Sequence, residues 1–352
     1  MTGVECWRVV VPLPGVTARV ARAAEAEGWD GLAVTESQNI YGDPYVALAL
    51  AARATERLRL ATGVVNPVTR HPAVTAAAIA TLHAESGGRA VLGIGRGDSA
   101  LAHLGRPPAP LPLLAEYVAR VQGYLRGEAV AIDGVESRLE WLPALGLPKV
   151  PVNVTATGPR GIALGARLAE WVTFTVGADR ERIAGAVATA RAARQQAGLD
   201  PATVSLGAYL PIAVHSNIAV ARELVRGVVG IHAHFSGMAG ATAASLAPAD
   251  RAVVEGLRRE YDLAHHGMGQ AAHARLLDDA FMDRFAIVGS ADRCLARLEA
   301  LVALGLDRLV LTTSARDALG PDQQLAAMLL AREVLPIVQR MNPRPAASAP
   351  GN

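Results

Sequence analysis

A chain of 352 residues that is 51% hydrophobic and 19% charged has ample length and apolar content for a substantial core, and is not the composition of a disordered protein. Its 34 Lys and Arg against 32 Asp and Glu leave a formal charge of +2 with no basic stripe, which argues against nucleic acid as a partner. Cys6 and Cys294 stand far apart outside any CxxC or zinc-like spacing, no cationic segment leads into a long apolar run, and no apolar run approaches a bilayer span, so a reducing, cytoplasmic setting without membrane insertion is expected.

The apolar run 7–13 reads as a first strand, stopped by Pro12 and Pro14-Gly15 and followed by a helical pattern over 17–27 with Val20, Ala23 and Ala24 on one face. Residues 32–35 form a second strand that exits through the polar run Glu36-Ser37-Gln38-Asn39, and Pro44 then opens a helix to 56. The stretch 58–98 reads as a βαβ unit. Its first strand ends near Thr62-Gly63 and Val65, Asn66-Pro67 blocks helix propagation, a helix runs over 72–85, and the second strand exits through Gly95-Arg96-Gly97-Asp98.

Periodicity weakens over 99–150, where Pro107, Pro108, Pro110 and Pro112 precede a helix near 113–126; this reads as an insertion over the site. Residues 151–156 are a fifth strand, after which Thr157-Gly158-Pro159-Arg160-Gly161 opens a helix whose free N–H groups suit phosphate or another anion. A sixth strand at 171–176 ends at Gly177, a helix follows over 181–197, and 204–215 is a seventh. A long helical region, roughly 219–281, lies within a second insertion at 215–284; a helix begun by Ser290 runs to 304, 308–312 is the eighth strand, and a last helix covers 323–338. The Pro/Ala/Ser-rich end, 343–352, reads as a disordered tail.

Eight strands alternating with helices predict an α/β chain, a single (β/α)8 barrel over 1–342 with its active site at the strand C-termini, where the polar and glycine-rich exits fall. A doubly wound sheet is the alternative, but Gly93-x-Gly95-x-Gly97 is not GxGxxG and leads into a proline-rich segment. His71 reads as structural, and the histidines at 232, 234, 265, 266 and 273 as solvated or pocket-lining groups; His232 and His234 point to different helix faces and no acidic set converges on them, so no metal is expected. On the residues alone, Glu36 and Asp98 read more readily as caps than as catalytic acids.

Val34-Thr-Glu-Ser-Gln38 with Asp43-Pro-Tyr45, Ala61-Thr-Gly-Val-Val-Asn-Pro67 with Thr69-Arg-His-Pro-Ala73, Ser86-Gly-Gly-Arg-Ala-Val-Leu-Gly-Ile-Gly-Arg-Gly-Asp98, Ala156-Thr-Gly-Pro159 and Phe285-Ala-Ile-Val-Gly-Ser290 resemble the luciferase-like flavin and deazaflavin oxidoreductases. The resemblance is strongest to the branch that includes methylenetetrahydromethanopterin reductase, which uses the deazaflavin F420. It implies a homodimeric (β/α)8 barrel with insertions and a ring lying across the barrel mouth. By the same resemblance Gly63-Val64 carries a cis peptide behind the ring; Gly95, Arg96, Gly97 and Asp98 flank it; Ser37, Thr62 and Asn66 join them as cofactor contacts; and Ala156, Thr157, Gly158, Pro159, Arg160 and Gly177 hold the phosphate-bearing tail.

Glu36 and Asp98 become the proton donors on this reading, since a carboxyl pressed against an apolar ring is desolvated and its pKa rises, while Ser37, Gln38 and Tyr41 orient a small-molecule substrate. Glu36-Ser37 stands where the glucose-6-phosphate dehydrogenase branch has an Asp-His pair, which disfavours sugar oxidation; residues 9–13 lack the strand-one glutamate of the methylene-reductase branch, so the pterin substrate does not carry over. The expected activity is F420-dependent hydride transfer, reducing a C=N or C=C bond. The alternatives are an FMN-dependent monooxygenase and a barrel that binds the cofactor without turnover.

Overall fold

Strands as continuously apolar as these need both faces covered, and in the computed structural model, which describes residues 3–237 and 246–343, they pair in parallel beneath a shell of helices. In chain order the strands are β1 (Glu5–Val10), β2 (Gly31–Val34), β3 (Arg59–Thr62), β4 (Ala90–Ile94), β5 (Val130–Ile132), β6 (Val135–Ser137), β7 (Val152–Ala156), β8 (Trp171–Phe174), β9 (Ser205–Val214), β10 (Ile287–Gly289) and β11 (Arg308–Thr312). β1, β2, β3, β4, β7, β8, β9 and β11 form a closed ring, completed by the β8–β9, β9–β11 and β11–β1 pairings. Closure makes this a (β/α)8 barrel and excludes the open doubly wound sheet.

The helices are α1 (Thr17–Ala26), α2 (Pro44–Ala54), α3 (Pro72–Glu85), α4 (Ser99–Ala102), α5 (Leu111–Leu125), α6 (Pro159–Leu168), α7 (Arg180–Gln196), α8 (Ile218–Gly237), α9 (Pro248–Glu260), α10 (Asp279–Phe285), α11 (Ala291–Val302), α12 (Pro321–Leu329) and, after a π turn at Leu330–Val334, α13 (Leu335–Val338). Proline in the first turn opens α2, α3, α5, α6, α9 and α12. Asp43, Asp179 and Ser290 accept backbone N–H groups at the starts of α2, α7 and α11. No described helix is long and apolar enough to cross a membrane.

Inside the ring, Trp7, Ala33, Ala61, Val91, Tyr209 and Val310 form their own cluster. Near its N-terminal end the Arg308 guanidinium lies 4.1 Å from the Trp171 ring centroid and donates to Ser205 Oγ at 3.0 Å and Thr173 Oγ1 at 3.2 Å, which satisfies a buried cation without a paired carboxylate. At the other end β3 and β4 present Gly63, Gly93 and Gly95. Bulk below and bare backbone above give the mouth a floor and open space over it.

The structure departs from the sequence reading in five places. Strand one is shifted to Glu5–Val10, and Asp133 and Gly134, both at positive φ, turn the antiparallel hairpin β5–β6; Asp-Gly between apolar residues is a hairpin signal that the weak periodicity of 99–150 concealed. β9 outruns the barrel, and the overhang Ile212–Val214 pairs with the unforeseen β10. The region 219–281 is not one long helical run: Pro248 starts a new helix, and beyond Glu260 the described chain passes through single 3-10 turns before α10. Within 99–150, α5 packs against α3 and α6 as the barrel's own helix, so the additions there are the α4 loop and the hairpin. The tail expectation falls, beyond Pro343, outside the described residues.

Candidate active site

Glu36 leaves β2 two residues past Val34, with a side chain only 4% exposed. The Asn66 amide donates to Glu36 Oε2 at 2.7 Å, while the Asn66 carbonyl oxygen accepts the N–H groups of Val68 at 2.9 Å and Thr69 at 3.1 Å. The turn after β3 thus locks one carboxylate oxygen. Arg70 Nε stands 3.9 Å from the other, Oε1, but its guanidinium is drawn to Asp43, the cap of α2, and lies over the Tyr45 ring. Burial pushes the Glu36 carboxyl up to about 7; Arg70 and the Asn66 hydrogen bond oppose that rise without cancelling it, and Asp43 adds to it. A cleft of about 680 Å³ opens beside Glu36, lined by Gln38, Val68, Thr69, Arg70, Leu104 and Arg106.

Asp98 follows β4 directly before α4, yet its side chain makes no cap hydrogen bond to that helix. Instead Oδ1 lies 3.2 Å from Nε2 of His234 on α8, a residue 136 positions later. The His234 ring stacks on Tyr261, centroids 4.0 Å apart and planes 16° apart, and the Tyr261 hydroxyl meets His266 Nδ1 at 3.0 Å. Burial pushes the His266 imidazole down to about 4, so it is neutral at physiological pH although Asp98 favours its charge.

The glycines mark where backbone approaches closely. The Gly63–Val64 peptide is cis. A Cβ on Gly63 would lie 2.9 Å from Ala33 Cβ and 3.2 Å from the Tyr209 hydroxyl, and one on Gly95 would lie 3.0 Å from Val64 Cγ2. Gly97 sits at φ +82°, which favours glycine outright. The polar atoms of Thr62 are engaged within the protein, since its hydroxyl donates to Gly93 O at 2.7 Å and accepts from Gly93 N at 2.9 Å. Arg96 Nε donates to Ala109 O at 2.6 Å and so anchors the loop that carries α4.

On the far side of the ring, Ala156 ends β7 and Gly158 precedes α6 with no side-chain cap, so the first N–H groups of that helix are uncapped. Thr157 and Thr175 share a hydroxyl–hydroxyl hydrogen bond of 2.6 Å, Arg160 is exposed, and Gly177 at φ +75° packs against Phe285. Thr175 N–H donates to Ala156 O, which brings the two strand exits together.

A polar, flat cofactor fits this mouth on the evidence of its own atoms. The hydroxyls of Thr35, Ser37 and Thr155, at or just past the ends of β2 and β7, and that of Thr69, in the turn after β3, are buried without a hydrogen-bond partner, as is Oδ2 of Asp98 past β4, which has His266 Nδ1 at 4.0 Å. Buried polar groups are normally satisfied, so a cluster of such atoms beside bare glycine backbone marks a ligand face. Among the described residues no group of three or more His, Cys, Asp and Glu is arranged to hold a metal ion. His71 takes a structural place, its Nδ1 accepting Ala73 N–H at the start of α3.

Two participants escaped the sequence reading, Arg70, which is hidden beside His71-Pro72, and Tyr261, which has no local signal; His234 was expected to be solvated or pocket-lining, without its partner. Single carboxylates meet the inserted histidines, Asp98 reaching His234 from the barrel side and Asp262 reaching His265 within its own turn.

Residues 13–308 match the family described as luciferase-like monooxygenase. The chain is 30% identical over 321 residues to a 5,10-methylenetetrahydromethanopterin reductase of Methanolobus tindarius, spanning 90% of this chain and 95% of that protein. It is 36% identical over 146 residues to an F420-dependent glucose-6-phosphate dehydrogenase of Beutenbergia cavernae, 38% of this chain and 42% of that protein. Its fold superposes on the coenzyme F420-dependent tetrahydromethanopterin reductase of Methanopyrus kandleri with a TM-score of 0.76 at 22% identity, covering 96% of this chain and 99% of the other.

Proposed function

The chain belongs to the luciferase-like monooxygenase family, and we propose that within it the protein is an F420-dependent oxidoreductase that reduces a C=N or C=C bond of a small molecule. The observation that carries this reading is Glu36, a buried carboxyl held near neutrality in pKa beside an open cleft at the mouth. The glucose-6-phosphate dehydrogenase that matches 38% of this chain and a hydroxymycolic acid dehydrogenase that matches 51% of it are F420-dependent by name, which supports the choice of cofactor.

When bound, reduced F420 supplies a hydride. Gly63, Val64, Gly95 and Gly97 are the residues that would bear its ring, and the segment Ala156 to Arg160 with Gly177 its anionic tail, on uncapped helix N–H groups and the exposed Arg160. Because Oε2 of Glu36 accepts the Asn66 amide, the proton of the neutral acid resides on Oε1, whose delivery completes reduction of the acceptor. Ser37 and Gln38 flank the same exit, and Gln38 ties it to α4 by donating to Ala100 O at 2.7 Å.

Equilibrium binding of F420 and, separately, of FMN to the purified protein tests the cofactor. Tight F420 binding with negligible FMN binding is expected; FMN preference overturns the reading and points to oxygen chemistry. In the same reading the enzyme is a cytoplasmic homodimer. Val46 and Leu50, one turn apart on α2, and Val74 on α3 are each more than half exposed and offer an apolar face to a second copy. Sedimentation equilibrium at micromolar concentration should give twice the chain mass, and a monomer removes the proposal.

A further inference from the structure

We propose that His234 and Asp98 work as a dyad, in which His234, delivered by α8, is the positioning residue that orients Asp98 as a second proton-handling group at the barrel mouth. This rests on the oxidoreductase reading above, but its geometry stands independently. Asp98 precedes α4 and would ordinarily cap it; instead its side chain leaves that helix uncapped and turns to His234, with Oδ1 to Nε2 at 3.2 Å. Both side chains are nearly buried, 16% and 15% exposed, so water competes weakly for the contact. The imidazole cannot rotate freely, because it lies flat on Tyr261, whose hydroxyl is in turn engaged by His266.

The arrangement leaves two buried atoms without a hydrogen bond, Nδ1 of His234 and Oδ2 of Asp98, the latter with His266 Nδ1 standing 4.0 Å away. With the Nε2–H donated to Oδ1, Oδ2 is the oxygen left to exchange a proton with a substrate. The balanced step is a proton transfer alone: Oδ2 takes up a proton from solvent and passes it to the substrate atom, the O–H bond forming and then breaking, so that the carboxylate is regenerated with the Nε2–H still on Oδ1. Asn66 does for Glu36 what His234 does for Asp98, since each fixes one carboxylate oxygen and leaves the other for chemistry.

The test combines two readouts on the full-length protein. Selective ¹⁵N labelling of histidine should show a downfield imidazole N–H proton assigned by its loss in His234→Gln, and the same resonance should vanish or move in Asp98→Asn. In steady-state assays His234→Ala should lose kcat by at least about tenfold with the F420 Kd within twofold of wild type, and added imidazole should restore part of the rate. An absent resonance in wild type, a resonance indifferent to Asp98→Asn, or an undiminished kcat in a folded His234→Ala variant overturns the dyad. If the resonance behaves as stated while the protein fails to bind F420, the cofactor reading falls and the dyad stands.

Discussion

Glu36→Gln is expected to lower the rate of substrate reduction by about 10²- to 10⁴-fold with the F420 Kd little changed, and to make the protein more heat-stable above neutral pH. The first effect follows from removing the proton on Oε1 while glutamine keeps an oxygen for the Asn66 amide. The second follows from linkage. The folded carboxyl titrates at about 7 against an ordinary value of 4.5, so its ionised form is disfavoured in the fold; the associated stability is fully present below about 4.5 and is lost as pH rises through about 7. Glutamine does not ionise, so the gain is under about 1 kcal/mol at pH 5 and reaches about 3 kcal/mol at pH 8, the shift being roughly 2.5 pKa units at 1.36 kcal/mol each. Thermal melts of both proteins at pH 5 and pH 8, with initial rates alongside, check both arms. In the wild type the reduction rate should decline as pH rises past about 7. A variant within threefold of wild-type rate would remove Glu36 from the chemistry, and equal melting temperatures at pH 8 would remove the raised pKa.

Gly95→Val should abolish F420 binding, with a loss of at least about 100-fold, or about 2.7 kcal/mol, while leaving the barrel folded. Gly95 does not sit at a positive φ, so its backbone accepts an L side chain; what a side chain meets there is Val64 Cγ2 at 3.0 Å from the new Cβ and Thr155 O at 3.5 Å. The γ-carbons of valine add further bulk at that tight position, where the β3 and β4 exits meet. Gly97→Val serves as the contrast. At φ +82°, with a Cβ falling 2.7 Å from Leu101 Cδ1, it strains the α4 loop itself and should lower the melting temperature as well as affinity. Titration of F420 fluorescence together with thermal melts separates the two, and a Gly95→Val protein that binds F420 like wild type would displace the ring from the β3–β4 exits.

The barrel was legible because its signals are local. Runs such as 60–65 and 90–94 are near-continuously apolar, as suits a strand covered on both faces, and proline-led helices separate them. Glu36 could be placed at a strand exit for the same reason: counting along β2 puts it two residues past the last paired position. The glycines at 63, 95 and 97 were legible as close approaches, since only glycine fits where backbone must come near another group.

Other features depended on closure of the ring and on the insertion folding back over it. The desolvation of Glu36 is one, because Asn66, Arg70 and Asp43 surround it only once β2 and β3 lie side by side and α2 is docked. The break of the 219–281 region is another: Pro248 was visible, but helix periodicity persists on both sides of it and does not report where the chain reverses. The pairing of Asp98 with His234 is the clearest case. Local periodicity says which face of α8 His234 occupies, but nothing within a helical turn or a strand pair spans 136 residues. The sequence by itself determined the strand order, the helix starts and the chemistry available at each strand exit, because these follow from neighbours within a few residues. Only the tertiary structure decided which acids are buried, which histidine faces which carboxylate and which hydroxyls remain unpaired, because burial and partnership are set by segments that meet when the barrel closes.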